Sequence, residues 1–164
     1  MRKSEREVVN FQEKMQILMR CGSMTLAFHE EGGPYLVPLN FGAEEENGSL
    51  VLYFHCALEG KKLDLLKQNN EVGFCAYTML RVFNKGVAPC GYTTDYESVS
   101  GKGKAEVVTE PEKRLHGLKV LMAHYTDETF SDEMFSAKAL AITTVVKVTV
   151  DEWTGKRLIR KDIP

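Results

Sequence analysis

Gly60-Lys61-Lys62 opens a short segment, Lys61 to Asn69, whose Leu63 and Leu66 mark the buried side of a helix. The first amides of a helix lack intrahelical acceptors and sit at the positive end of its dipole, so such a start suits a phosphate. Two lysines there would add charge-assisted hydrogen bonds. The same residues also suit a solvated basic turn, and the glycine-rich run of a P-loop is missing. His55 lies a few residues upstream, near the end of an apolar run that also holds Val51 and Tyr53. A histidine so placed could relay a proton near neutral pH, or could be satisfied by backbone.

Other chemistry-bearing residues are less concentrated. His116 and His124 are separated by more than two helical turns and cannot share a metal without a third element. His29 is isolated near a turn. Cys21, Cys56, Cys75 and Cys90 contain no CxxC pair and match no zinc spacing. With no export signal at Met1 to Arg6, they read as reduced cytoplasmic thiols, most of them small core residues. Hydrolase signatures (GxSxG, HExxH) are missing. Glu44-Glu45-Glu46 reads as solvated charge in a hairpin loop.

The elements that must position these residues follow from periodicity. Val8, Phe11, Met15, Leu18 and Met19 predict a helix over Val8 to Cys21, stopped by Gly22. Ser23 to His29 alternates as a strand, followed by turn chemistry at Glu31 to Pro34. Tyr35, Val37, Leu39 and Phe41 share one face of the next strand, and Pro38 places that strand at an edge or a bulge. Asn47-Gly48 predicts a hairpin turn into Ser49 to Cys56, making the Tyr35 and Ser49 strands antiparallel neighbours. Val72 to Thr78 and Tyr96 to Val108 read as strands, the latter bent at Gly101 and Gly103. Leu80 to Asp95 reads as a loop. Thr109 to Glu112 is a capping box before a helix carrying Leu115, Leu118, Met122 and Tyr125. A short helix over Ser131 to Lys138, a strand over Ala139 to Glu152 and a basic extended tail from Trp153 to Pro164 complete the chain. Antiparallel strands with helices between them predict a mainly β fold, a small β-barrel with peripheral helices.

At 164 residues and 43% apolar content the chain suits one domain, 1–164. A net charge of −2 argues against a nucleic-acid or acidic-membrane partner, and no apolar run is long enough for a membrane helix. Tyr35, Tyr53, Phe54, Tyr77 and Phe83 either fill the core or meet a second subunit.

The blocks PYLVPLNFG, LYFHCALEGKKLDLL, YESVSGKGKAE and LMAHYT, in that order, resemble the flavin-binding split-barrel superfamily related to pyridoxamine 5′-phosphate oxidase, and within it the nitroimidazole-resistance (Nim) type. The resemblance runs from about Glu5 to Lys156. It implies a six-stranded split barrel and a homodimer with FMN, rather than FAD or haem, in grooves at the subunit interface. Pro38, Leu39 and Asn40 would lie along the flavin ring. Lys61 and Lys62, after Gly60, would hold the phosphate in place of an Arg-Lys pair, the first lysine losing bidentate geometry. His55 would stand beside the ring, next to Cys56. Ser98 occupies the place of a flavin-contacting Gln, and Trp153 would cover the cofactor from the partner subunit. Residues that bind pyridoxal phosphate near the C-terminus of the oxidases are not matched by Arg157 to Arg160. The implied activity is an oxidoreductase carrying electrons from a reduced nicotinamide to a nitroaromatic or quinone-like acceptor. The alternative is a flavin- or haem-binding carrier or sensor.

Overall fold

The computed structural model describes residues 3–84 and 86–160. Its strands are β1 (Glu7–Val8), β2 (Met24–Phe28), β3 (Tyr35–Leu39), β4 (Gly42–Glu46), β5 (Ser49–Cys56), β6 (Glu71–Asn84), β7 (Tyr92–Val107) and β8 (Thr144–Leu158). The helices are α1 (Phe11–Met19), α2 (Lys61–Gln68), α3 (Pro111–Tyr125) and α4 (Ala137–Ala141). The strands form one sheet in the order β3-β2-β6-β7-β8-β5-β4, with β1 attached to β8. Every pairing is antiparallel.

The two ends of this path, β3 and β4, are consecutive in the chain and separated only by Asn40 and Phe41. A link of that length spans roughly 10 Å at most, so the sheet must curl until its ends meet. The result is a mainly β barrel closed by a chain corner, with no ladder between β3 and β4 among the described residues. Inward residues make one core: Met24, Leu26 and Phe28 of β2, Leu50, Leu52 and Phe54 of β5, Phe74 and Ala76 of β6, and Val146 and Val148 of β8. Ile17 and Leu18 of α1 enter the same core, and Leu63, Leu65 and Leu66 anchor α2 to it. Helix α3 covers the outer face of β4 and β5, where Val51, Tyr53, Val108 and Val145 form a second, smaller core with Leu118 and Val120.

Four expectations are corrected here. The sheet has eight strands rather than six, the additions being β1 and β4. Glu44 to Glu46 lie in β4, not in a hairpin loop, and each carboxylate finds a side-chain partner there. Glu44 accepts from the Tyr53 hydroxyl at 2.9 Å and meets His116 Nε2 at 2.8 Å, Gln12 donates to Glu45, and Lys147 Nζ sits 2.6 Å from Glu46. Strand β4 therefore takes the place beside β5, and β3 pairs with β2 instead. Leu80 to Asp95 is mostly strand: β6 and β7 extend as a hairpin, clamped where Arg81 meets buried Asp95 at 2.6 Å and Arg160 lies over Phe83.

Smaller differences follow the same logic. The predicted capping box does not form: Glu110 is the N-cap of α3, without a side-chain cap, and the Thr109 hydroxyl bonds Glu110. The predicted Ser131 helix is a short 3₁₀ turn at Asp132–Met134 followed by α4. Strand β8 runs on to Leu158, absorbing much of the expected tail, whose residues 161–164 lie outside the described ones. Cys75 and Cys90 are exposed rather than core residues. Pro38 does sit on an edge strand, as its missing donor requires.

Two local features hold the barrel and its helix together. Glu97, 2% exposed, receives a paired contact from Arg20 at 2.9 Å and another from Arg157 Nε at 2.6 Å, joining α1, β7 and β8. Gly42 sits so close beneath α3 that a Cβ would lie 2.5 Å from the backbone of Val120 and Leu121. Replacing both arginines, Arg20→Ala with Arg157→Ala, leaves a buried carboxylate without a partner. It is expected to cost about 3–5 kcal/mol in urea unfolding, and more than Glu97→Gln, whose half-exposed arginines can turn to water. Gly42→Ala must push α3 off the sheet and is expected to destabilise by about 1–3 kcal/mol in the same experiment. A neutral result for either would discard the corresponding account.

Candidate functional site

Strand β5 alternates, so Phe54 points into the barrel and His55 points outward with Val51 and Tyr53. Cys56, at the strand's end, is half-buried against the barrel core. Burial pushes its thiol up, and the nearby Lys62 charge partly opposes this. His55 and Cys56 therefore do not share a face. His55 borders a small apolar cavity beneath α3 and α4.

After Cys56 the chain turns through Gly60, whose φ of 137° is open to glycine and costly for other residues. The Gly60 carbonyl accepts from Leu63 N–H at 2.9 Å and Asp64 N–H at 3.2 Å, which starts α2. No side chain caps this start, so the first amides, at Lys61 and Lys62, face outward with the helix dipole behind them. Lys61 Nζ lies 2.7 Å from Glu30 and 4.5 Å from the centre of the Tyr35 ring. The amino end of α2 thus sits beside the start of β3. An uncapped helix start carrying two cations fits a phosphate ester, with Glu30 as the group that must yield.

Strand β3 runs away from this point with one edge paired to β2 and the other free among the described residues. Pro38 and Asn40 are exposed and Leu39 is half-buried. Pro38 lies about 10 Å along the strand from Tyr35. At the far end the Tyr125 hydroxyl accepts from Phe41 N–H and donates to the Gly22 carbonyl, each at 3.1 Å. The His124 ring packs on Phe41 at 4.4 Å and its Nε2 donates to the Cys21 carbonyl. The end of α3 thereby fixes the Asn40–Phe41 corner. By the β4–β5 register, in which Gly42 faces Tyr53, the outer end of β5 comes up beside the Asn40–Phe41 corner that ends β3, while the α2 start lies at the strand's other end, beside Tyr35.

Ser98 and Trp153 are elsewhere. Ser98 is on β7, opposite Tyr77 and Lys156. It stands three strands from β3, about 14 Å across the sheet. Trp153 lies opposite Gly101 on β8, half-buried against Phe11, with Lys14 Nζ 4.2 Å above its ring. Val145, the β8 residue facing His55, is eight residues from Trp153, about 26 Å along the strand. Within one chain both residues thus stand well away from the Lys61 and His55 side chains. Sequence reasoning missed Glu30, Tyr35 and Tyr125 as neighbours of the site. No local pattern marks them, because each is brought in by the sheet's curl.

Comparison with curated proteins gave no match. Among solved structures, a protein provisionally assigned to 5-nitroimidazole antibiotic resistance from Bacteroides thetaiotaomicron is 32% identical, covering 92% of this chain and 86% of that one, with a TM-score of 0.78. The FAD and heme binding protein from Mycobacterium smegmatis is 19% identical over 93% of this chain and 73% of its own, at a TM-score of 0.73. The flavocytochrome Anf3 from Azotobacter vinelandii is 14% identical over 99% of this chain and 76% of its own, at a TM-score of 0.73. The last two show the shared fold. The family profile described as pyridoxamine 5′-phosphate oxidase matches residues 11–157, and the chain belongs to that family.

Proposed function

We propose that this protein is a flavin-dependent oxidoreductase that holds FMN along the free edge of β3. The observation that carries this reading is the uncapped start of α2, with Lys61 and Lys62, set beside an unpaired strand edge. A flavin held there would supply two-electron transfer from a reduced nicotinamide to a small nitroaromatic or quinone-like acceptor. Family membership and the flavin named for the Mycobacterium smegmatis relative support the cofactor class.

Each residue group has a separate task. Lys61 and Lys62 neutralise the phosphate, and the first α2 amides donate to it. Backbone groups of Pro38 to Asn40 address the polar edge of the ring, as an unpaired strand edge can. His55, on the outer face of β5, donates a proton or hydrogen bond to the acceptor. No described helix is long and apolar enough to cross a membrane. The reading places the protein in the cytoplasm.

The separation of Ser98 and Trp153 from the other site residues supports a homodimer in which those two come from the partner subunit. The exposed outer face of the sheet agrees. Tyr77 is 71% exposed and Met79 61% on β6, and Leu36 is 58% exposed on β3, with β2 between the two strands and no covering helix among the described residues. Such a patch is characteristic of an interface. A carrier or sensor that binds flavin or haem without turnover is the second reading, and the named ligands of the Mycobacterium smegmatis relative favour it.

A visible spectrum of the purified protein, before and after incubation with FMN and removal of the excess, tests the cofactor. A retained flavin spectrum with FMN released on denaturation is expected. A protein that excludes FMN discards the assignment, and a Soret band selects the second reading. Charge-assisted contacts contribute about 1.5–3 kcal/mol each, so Lys62→Ala is expected to raise the FMN dissociation constant roughly 10- to 100-fold in a fluorescence titration. His55→Ala is expected to retain FMN while acceptor reduction slows by about 100-fold or more in stopped-flow. Normal turnover in that variant removes His55 from the chemistry.

A further inference from the structure

We infer that the cavity between β5, α3 and α4 is a binding subsite for a neutral, planar aromatic or quinoid molecule, seated against His55. The cavity measures about 240 Å³. Its walls are Leu118 and Met122 of α3, Phe135 in the connection, and Ala139 and Leu140 of α4. No lysine, arginine or carboxylate among the described residues lines it.

The wall chemistry selects the occupant. Drug-sized ligands fill about 300–1,000 Å³, so this space suits one or two fused rings and is too small for an acyl chain with its headgroup. Phe135 offers a ring for stacking, and Met122 a polarisable sulfur that packs well on aromatic edges. An anion would enter without a cation to replace its water, at a high desolvation cost. Thr143 also borders the space, but its hydroxyl donates to the Ala139 carbonyl at 2.8 Å. His55 is therefore the polar side chain at the cavity able to address a carbonyl or nitro oxygen.

The roof is held in place. Arg114 Nη2 donates to the Thr143 carbonyl at 2.6 Å and also to the Leu140 carbonyl, tying the C-terminal end of α4 to α3. Phe130 packs edge-on against Phe135 with centroids 6.3 Å apart. Helix α4 is only five residues long, and these contacts rather than its own backbone define the wall. The cavity's existence does not depend on the flavin reading. The assignment of its occupant as an electron acceptor does rest on that reading, since His55 joins the two regions.

The test is a ligand-observed NMR titration of the full chain with menadione, a neutral bicyclic quinone. Saturable binding at one site per chain is expected. Ala139→Trp fills the cavity from its exposed rim and is expected to raise the menadione dissociation constant at least tenfold. Lys138→Trp places the same side chain on the same short helix but outside the lining, and is expected to leave binding as it was. Binding that is indifferent to Ala139→Trp, or lost equally in both variants, overturns the assignment. A protein that rejects FMN yet binds menadione with this mutational pattern keeps the subsite and loses the flavin reading. A protein that retains FMN without that pattern does the reverse.

Discussion

The corner at Asn40 and Phe41 constrains the rest of the molecule. It joins the two ends of the sheet path, so the sheet must close around its core, yet it does so without hydrogen bonds between β3 and β4. Tyr125 and His124 at the end of α3 grip this corner through Phe41 and the chain entering β2. A barrel closed by a ladder would have no free edge. Closure by a corner leaves β3 with a row of unpaired backbone groups, normally a liability that proteins cover. Pro38 removes one donor from that strand, and the amino end of α2 is delivered beside it. The unpaired edge and the uncapped helix start both offer backbone hydrogen-bonding groups, and under the proposed function a phosphate-bearing planar molecule would use both.

Much of this was legible in the sequence because it is encoded locally. The alternation of Met24, Leu26 and Phe28, the turn at Asn47-Gly48 and the leucines of α2 each reveal an element by period or turn chemistry. Gly60-Lys61-Lys62 and His55 stand out for the same reason. The misreadings share one cause: residues whose environment is created by distant chain. The Glu44 to Glu46 run looks solvated until Tyr53, His116, Gln12 and Lys147 are brought against it. The β6–β7 extension has little alternation, since both its faces are largely exposed, and its ladder is reinforced by the Arg81–Asp95 pair and by the Arg81 and Arg160 guanidinium groups over Phe83. Glu30 beside Lys61 has no sequence signal at all.

The resemblance-based site separates into two groups, and the separation is informative. Lys61 and His55 lie toward the two ends of β3, whereas Ser98 is three strands from β3, about 14 Å, and Trp153 is about 26 Å along β8 from the residue facing His55. Strand β7 carries Ser98 outward while its neighbour Glu97 is locked inward by two arginines. That alternation puts Ser98 on the outer face of the sheet, next to the exposed Tyr77. A second copy docking there would bury exposed apolar area and bring its own Ser98 close to the first copy, whereas Trp153 packs on the core side against Phe11. Stability of the dimer and completeness of the site would then be one property.

The Lys61–Glu30 pair sets the terms on which a phosphate enters. Lys61 is half exposed and Glu30 one-third exposed, so their contact is a surface ion pair contributing about 0–1 kcal/mol. Displacing it is therefore inexpensive. A phosphate ester brings close to two negative charges and three acceptor oxygens, and it can take the first α2 amides as well as Lys62, none of which Glu30 engages. The carboxylate must then turn outward, since two anions at one lysine repel. Lys61 also keeps its place over the Tyr35 ring, which holds the ammonium near the helix start whether or not Glu30 stays. On the proposed reading the pair would be a placeholder, holding the lysine in position without binding it tightly enough to exclude a phosphate.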